Sequence, residues 1–350
     1  NLAIGPMLAA VTAGNRVMVK MSEFTPATSK LFAELVSKYF SEDEVAVVNG
    51  EAEVGAAFSA LPFDHLLFTG STSVGKHIMR AAAENLTPVT LELGGKSPAI
   101  ISEDVPMKDA AERIAFGKAF NAGQTCVSPD YVLCPEQRIE EFIEAFSAQI
   151  AKMYPSKLNN KDYTAIINKR QQDRLLSYLD DAEKKGARII EINPASEDFT
   201  NSRKIPITLV TDTSDDMLIM QDEIFGPLLC LVPYKGLDSA LKFVADSPRP
   251  LALYYFDYDK RRCDYVVLHS HSGGVGLNDT LNHVGVDDIP FGGIGSSGMG
   301  HYHGYEGFLT FSKAKGIYSK GKLNSTRFIM PPYGKWVHKC LYKFVLKQNR

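Results

Sequence analysis

The sequence predicts an α/β protein in which short apolar strands alternate with amphipathic helices. Apolar β-branched runs such as 45–48 are typical of buried strands, and a glycine-rich turn at 70–75 follows another apolar run. The sequence between such runs has the periodicity of amphipathic helices. Strands that alternate with helices form parallel, doubly wound sheets. Because 350 residues suffice for two cores, we expect two α/β domains of this kind.

The elements before residue 95 follow this alternation. A short apolar helix is expected over 6–13 and ends near Gly14. Thr25 and Pro26 are typical of a helix start, with Thr at the N-cap and Pro at the first helical position. The turn at 70–75 leads into a helix that continues through Arg80. Strands are predicted over 16–20, 45–48, 66–68 and 89–91.

Longer helices characterise the sequence after the Gly94-Gly95 pair, and this change predicts a domain boundary there. Helices are expected over 108–120, 139–153, 170–185 and 336–347. Strands are expected over 189–190, 208–210, 228–233, 251–256 and 274–277.

Composition excludes several classes of protein. The net charge of −3 comes without a basic stripe, which argues against nucleic-acid binding. No apolar run approaches the ~20 residues of a membrane-spanning helix, so membrane association is not expected. Five cysteines without a CxxC pair predict a reducing compartment, the cytoplasm, rather than a disulfide framework or zinc site. The segment 336–347 is expected to be a docked surface helix, with a membrane-surface helix as the alternative.

A thiol and a carboxylate are the main candidates for chemistry. Cys126 lies in a polar, glycine-containing turn, and Glu92 ends an apolar strand 34 residues earlier. A thiolate can attack a carbonyl carbon, and a carboxylate can activate the water that later releases an acid. A buried structural cysteine and a solvated strand-end carboxylate are the alternatives.

Other segments are typical of nucleotide binding. The turn that begins at Gly70 and Ser71 resembles a phosphate-binding loop, but His77 replaces the Ser or Thr that would hold Mg²⁺. Lys20 and Glu23 follow an early strand and could hold ribose hydroxyls, or form a surface ion pair.

Three features further along the sequence are less specific indications of function. Glu223 could hold a second ribose and Phe225 could pack on a planar ring, although a loop and a core residue are the alternatives. The glycine-rich segment 290–300 is interpreted as an ordered loop rather than a linker. His301 and His303 are interpreted as packing or polar residues, and no metal site is predicted.

The motifs occur together in one known family. Glu-Leu-Gly-Gly-Lys-Ser-Pro at 92–98, Gly-Gln-Thr-Cys at 123–126, Glu-Ile-Phe-Gly-Pro at 223–227 and Pro-Phe-Gly-Gly-Ile-Gly at 290–295 make the chain strongly resemble the aldehyde dehydrogenase superfamily. The segments 21–26, 249–254 and 298–304 resemble its class-3-type branch, and the coniferyl aldehyde dehydrogenases are a similar group. The resemblance implies a cofactor-binding domain at 1–94, a catalytic domain at 95–295, and a return segment and tail at 296–350. A small oligomerisation segment is also implied.

The resemblance also implies roles for individual residues. Cys126 would be the nucleophile and Glu92 the general base. Glu223 would bind the nicotinamide ribose, with Phe225 beside it. The remaining cofactor-binding residues implied are Lys20, Glu23, Gly70, Ser71, Val74 and Leu93.

The implied reaction is the oxidation of an aromatic or medium-chain aldehyde to its acid by a homodimer, through a thioester on Cys126. NAD is the expected cofactor because Glu23 would repel a 2′-phosphate, and NADP stays open because Lys20 lies nearby. The chain opens at Asn1, and the family's Pro-Trp-Asn segment, whose Asn completes the oxyanion hole, would precede it. We therefore expect a fragment of reduced activity. A cofactor-independent thiol esterase or acyltransferase, and an inactive binding protein, are the alternatives.

Overall fold

The structure is a computed structural model that describes residues 2–346. The chain divides into two compact units, Asn1–Ser312 and Lys313–Arg350. The second unit contains a 3₁₀ turn, Ser325–Phe328, and helix α12, Trp336–Val345. The predicted end of this helix at residue 347 lies outside the described residues.

The first unit alternates helices and strands, as the sequence predicts. Its helices are α1 (Ile4–Thr12), α2 (Pro26–Tyr39), α3 (Ala52–Ser59), α4 (Thr72–Ala83), α5 (Met107–Ala119), α6 (Ile139–Met153), α7 (Lys169–Lys184), α8 (Leu218–Gln221), α9 (Leu237–Asp246), α10 (Lys260–Leu268) and α11 (Gly304–Thr310). Its strands are β1 (Val17–Lys20), β2 (Val45–Val48), β3 (Leu66–Thr69), β4 (Val89–Glu92), β5 (Ser97–Ile101), β6 (Pro129–Pro135), β7 (Arg188–Glu191), β8 (Thr208–Thr211), β9 (Leu228–Tyr234), β10 (Ala252–Phe256), β11 (Gly274–Leu277) and β12 (Gly298–Met299).

A seven-stranded sheet forms the larger core, in the order β11-β10-β5-β6-β9-β8-β7. Its neighbouring strands are parallel except for β7, which is antiparallel to β8. Both faces are covered by helices, as expected for a doubly wound sheet. Along β5, Ala99 and Ile101 face a cluster that includes α5 and α6, whereas Ile100 faces the cluster with α7, α9 and α10. The predicted doubly wound α/β fold is confirmed.

Strands β5 and β6 are central in this sheet but were not predicted. Each contains a proline near its start, Pro98 and Pro129, and proline within an apolar run argues against a central strand. The register shifts between Ser97 and Pro98, so an irregularity accommodates the missing N–H group. Both strands are fully buried, and this burial outweighs the local proline signal.

Two small sheets occupy the part of the chain before residue 95. Strands β1 and β2 are parallel, and β3 and β4 are parallel. The N-cap of α2 is Thr25 as predicted, but its side chain makes no capping hydrogen bond. Strand β12 returns to this region and pairs antiparallel with β4, so that Gly298 lies opposite Glu92. The predicted domain divisions after residues 94 and 295 stay predictions.

Replacement of Gly298 by alanine should destabilise the first unit. Gly298 has φ +138°, and a Cβ atom there would collide with the carbonyl oxygen of Leu91. We expect a loss of about 1–3 kcal/mol in the free energy of unfolding, measured by chemical denaturation. Gly285→Ala is the matched control, since a Cβ at Gly285 meets nothing within 4 Å. Equal stability of the two variants would contradict this assignment.

Candidate active site

Cys126 follows a strained turn at the end of α5. The 3₁₀ turn Phe120–Gly123 contains Asn121 and Ala122, both with φ +51°. Gly123 has φ +72°, and a Cβ there would collide with the carbonyl oxygen of Gly226. The cysteine turn therefore packs directly on the loop that follows Glu223, and Cys126 itself is half-buried just before β6.

Glu92 lies at the end of β4 and is 3% exposed. Neither of its carboxyl oxygens has a hydrogen-bond partner within residues 2–346. Burial disfavours the charged form and raises the pKa of Glu92 to about 8. A carboxyl group with this pKa can exchange a proton near neutral pH, as a general base must.

The surroundings of the Cys126 thiol favour its protonated form. Burial, with smaller contributions from Glu223 and Glu92, raises its pKa to about 12. The backbone N–H groups of Cys126 and Val127 act in the opposite direction and favour the thiolate. Glu92 and Glu223 therefore both lie close enough to Cys126 for their charges to act on its thiol.

Glu223 lies against the glycine pair that follows Glu92. A Cβ at Gly94 would collide with both carboxyl oxygens of Glu223, and the backbone N–H of Gly95 favours the ionised form of this carboxyl group. Burial and the nearby charge of Asp130 raise the pKa of Glu223 to about 7. The absence of a side chain at Gly94 therefore provides the space that Glu223 occupies.

The predicted phosphate-binding residues meet at the start of α4. Ser71 caps this helix and accepts a hydrogen bond from the backbone N–H of Val74 at 3.4 Å. Gly70 has no space for a side chain, because a Cβ would lie 2.5 Å from the Phe68 ring. Val74 is 44% exposed on the first turn. Leu93 packs against the same helix at Gly75 and connects it to Glu92.

The predicted ribose-binding residues form a pair after β1. Lys20 Nζ donates to Glu23 Oε2 at 3.0 Å. The backbone N–H of Glu23 and the Lys20 ammonium lower the pKa of Glu23, which therefore stays ionised. Phe225 is 40% exposed and has φ +47°, so its ring remains accessible beside Glu223.

These residues fit a nicotinamide dinucleotide. The N-terminus of a twelve-residue helix suits an anionic diphosphate. The ionised Glu23 carboxylate can accept hydrogen bonds from ribose hydroxyls. Because residue 70 is a glycine, no side chain projects from this position of the turn.

Two tyrosines of the site were missed in the sequence. Tyr302 is 3% exposed, and burial together with the charges of Glu92 and Cys126 raises its pKa. Tyr254 is buried and donates from its hydroxyl to the carbonyl oxygen of Val127 at 2.6 Å, which fixes the residue after Cys126. Both stand in segments that resemble the class-3-type branch, 249–254 and 298–304, but nothing in those segments marked the tyrosines as site residues.

The glycine-rich segment is an ordered loop beneath the site. Ser297 Oγ accepts from the backbone N–H of Ile294 at 2.9 Å, and its carbonyl oxygen accepts from the N–H of Leu93. Phe291 stacks on His303 with ring centroids 5.0 Å apart, in agreement with the packing role predicted for that histidine. Within residues 2–346, no cluster of His, Cys, Asp or Glu could hold a metal ion.

Comparison with known proteins decides the family. The model of the "Aldehyde dehydrogenase family" matches residues 1–317. The chain is 62% identical to a probable coniferyl aldehyde dehydrogenase of Pseudomonas aeruginosa, over 99% of this chain and 72% of that protein. It is 52% identical to a coniferyl aldehyde dehydrogenase of Pseudomonas sp., over 97% of this chain and 71% of that protein.

This chain belongs to the aldehyde dehydrogenase family. It is an oxidoreductase that carries out NAD(P)-dependent aldehyde oxidation, as the motifs predict. Membership of this family does not favour the alternative functions, which were a cofactor-independent thiol esterase or acyltransferase and an inactive binding protein.

Solved structures of aldehyde dehydrogenases confirm the fold. A substrate-bound AldH of Staphylococcus aureus superposes with a TM-score of 0.88 at 39% identity, over 98% of this chain and 73% of that chain. An aldehyde dehydrogenase of Mycobacterium tuberculosis complexed with NAD⁺ gives 0.81 at 32% identity, over 89% of this chain and 65% of that chain. Among the described residues of this aldehyde dehydrogenase, no helix has the length and apolar character to cross a membrane.

Acid formation by this aldehyde dehydrogenase should depend on the protonation of Glu92. Below its pKa of about 8 the carboxyl group is protonated and cannot accept a proton from water, so kcat rises with pH and levels off above that value. Glu92→Gln should lower kcat by ~10²–10⁴-fold and remove this dependence. The measurement is the steady-state rate across pH 6–10.

The control for this profile is Glu84→Gln, which alters an exposed carboxylate after α4 and should leave the curve unchanged. A wild-type pH profile that persists in Glu92→Gln would show that another group acts as the base.

Proposed function

We propose that this aldehyde dehydrogenase oxidises coniferyl aldehyde, or a closely related aromatic aldehyde, to the acid with NAD as cofactor. The observation that carries the reaction is the buried Glu92 carboxyl group near Cys126, which has no hydrogen-bond partner among residues 2–346. The substrate class is supported by two similar proteins that are named as coniferyl aldehyde dehydrogenases. Medium-chain aliphatic aldehydes are the second substrate class.

Cys126 would form the covalent bond to the substrate. The thiol of Cys126 gives its proton to solvent, and the sulfur attacks the aldehyde carbon to give a thiohemiacetal oxyanion. The backbone N–H groups of Cys126 and Val127 favour negative charge at this position. A nicotinamide cofactor held by Glu223 and the start of α4 would supply the hydride acceptor for this oxidation, so that Cys126 would carry a thioester.

Glu92 would act in the second half of the reaction. Its ionised carboxylate accepts a proton from a water molecule, whose oxygen then attacks the thioester carbon. The carbon–sulfur bond breaks, the acid is released, and the departing Cys126 thiolate takes up the proton held by Glu92, which restores both groups. The nearly complete burial of Glu92 keeps its pKa close to neutral pH.

The remaining cofactor residues would hold the dinucleotide at the positions described above. Gly70, Ser71 and the start of α4 would bind the diphosphate, Val74 would contact the adenine, and Leu93 would support the turn. Glu223 would bind the nicotinamide ribose, with Phe225 beside it. We also propose a cytoplasmic homodimer, on the strength of the resemblance alone.

The domain roles are part of the same proposal. Residues 1–94 would bind the cofactor, 95–295 would carry the nucleophile, and 296–350 would contribute the return strand and tail. The pairing of β12 with β4 supports this division, since it brings the return segment back to Glu92.

Cys126→Ala should abolish coniferyl aldehyde oxidation. Loss of the nucleophile should lower the rate of NADH formation by at least ~10³-fold, while NAD still binds. An aldehyde panel followed by NADH absorbance, together with a nucleotide titration, measures both properties. Cys263→Ala, on the buried face of α10, is the control. A panel in which wild type oxidises only aliphatic aldehydes would overturn the substrate assignment.

Glu23→Gln should weaken the preference for NAD over NADP. The ionised carboxylate repels a 2′-phosphate, and its removal should improve kcat/KM with NADP relative to NAD by about tenfold, or roughly 1.4 kcal/mol. The exposed Glu34→Gln on α2 is the matched control. An unchanged cofactor ratio in Glu23→Gln would remove Glu23 from cofactor selection.

A further inference from the structure

We propose that Asp130 is a positioning residue that fixes the Glu223 loop relative to both Cys126 and Glu92. The Glu223 loop is the segment 219–227, which leads from α8 to β9. The inference rests on the proposed role of Glu223 in binding the nicotinamide ribose. Asp130 lies on β6, four residues after the nucleophile, and is 2% exposed. No sequence motif marked this residue.

The two carboxyl oxygens of Asp130 join two different motif segments. Oδ1 pairs with the ammonium group of Lys96, which follows Glu92 and the glycine pair. Oδ2 accepts the backbone N–H of Ile224 at 2.8 Å, directly after Glu223. The Asp130 carboxylate, on the strand that follows Cys126, therefore connects the segment after Glu92 with the segment after Glu223.

Lys96 extends the connection along the same loop. Its ammonium group also donates to the carbonyl oxygen of Ile219 at 2.7 Å and to that of Asp222 at 2.9 Å. All three donors of this ammonium group are thus engaged, one by Asp130 and two by the backbone before Glu223.

Arg174 of α7 holds the loop from a third element. It donates to the carbonyl oxygens of Glu223 at 3.0 Å and Ile224 at 2.6 Å. Its guanidinium group also lies over the ring of Tyr178, 5.0 Å from the centroid. The backbone on both sides of Glu223 is therefore fixed by charged side chains, while the carboxyl group rests in the space above Gly94.

A buried ion pair contributes little net stability, because desolvation offsets the attraction between its charges. Its better-attested effect is to specify one arrangement of the segments that it joins. Here those segments carry Cys126, Glu92 and Glu223. The charge of Asp130 also contributes to the raised pKa of Glu223, so its loss would alter both the position and the ionisation of that carboxyl group.

The test is Asp130→Asn, which retains the size of the side chain but removes its charge. We expect KM for NAD to rise ~10–100-fold, the range that supporting residues show at metal sites. Alkylation of Cys126 by iodoacetamide without nucleotide should change by less than about twofold. Asp257→Asn is the matched control, since Asp257 is also buried and pairs with Arg262, at the end of β10. It should leave KM for NAD unchanged.

A double-mutant cycle with Glu223→Gln distinguishes positioning from general support of the fold. If Asp130 acts through Glu223, the double variant has the KM for NAD of Glu223→Gln alone. Three outcomes would each overturn the proposal. They are additive effects of the two substitutions on KM, an unchanged KM for NAD in Asp130→Asn, and equal losses in NAD binding and Cys126 alkylation.

If Asp130→Asn does not fold, Arg174→Gln takes its place in the same cycle, because Arg174 is only half-buried and holds the same loop. The same three outcomes then decide. Titration of the wild-type protein with NAD tests the proposed function separately. If the wild type does not bind NAD, the proposed role of the site is refuted, whatever the variants show.

Discussion

The desolvation of Glu92 is the constraint on which the site depends. A carboxylate buried without hydrogen bonds is costly to ionise, and this cost moves its pKa from the range of ordinary glutamates to about 8. The same apolar surroundings raise the pKa of the Cys126 thiol. Both groups therefore favour their neutral forms near neutral pH.

Sheet topology explains how residues so far apart in sequence share this environment. Glu92 ends β4, Cys126 precedes β6, and Glu223 precedes β9, which is the neighbour of β6 in the large sheet. Close backbone approach then completes the site. Gly94 leaves room for the carboxyl group of Glu223, and Gly123 allows the cysteine turn to contact the loop after it. Any side chain at either glycine would separate these segments.

Much of this arrangement could be predicted from the sequence, because the motifs are local and specific. The alternation of strands and helices indicated the doubly wound fold, and Cys126 and Glu92 were identified by their turns. The prolines at the starts of β5 and β6 concealed the two central strands. Asp130 is a buried charge whose partners are distant in sequence, so only the folded structure shows what it joins.

The most direct test of the two-step chemistry uses Glu92→Gln in a single turnover with coniferyl aldehyde and NAD. If Cys126 carries the acyl group and Glu92 activates the water that releases it, one equivalent of NADH per active site appears in a burst. Mass spectrometry then finds the acyl group on the peptide that contains Cys126. A variant that turns over at the wild-type rate, or a burst without acylation of Cys126, would contradict the account.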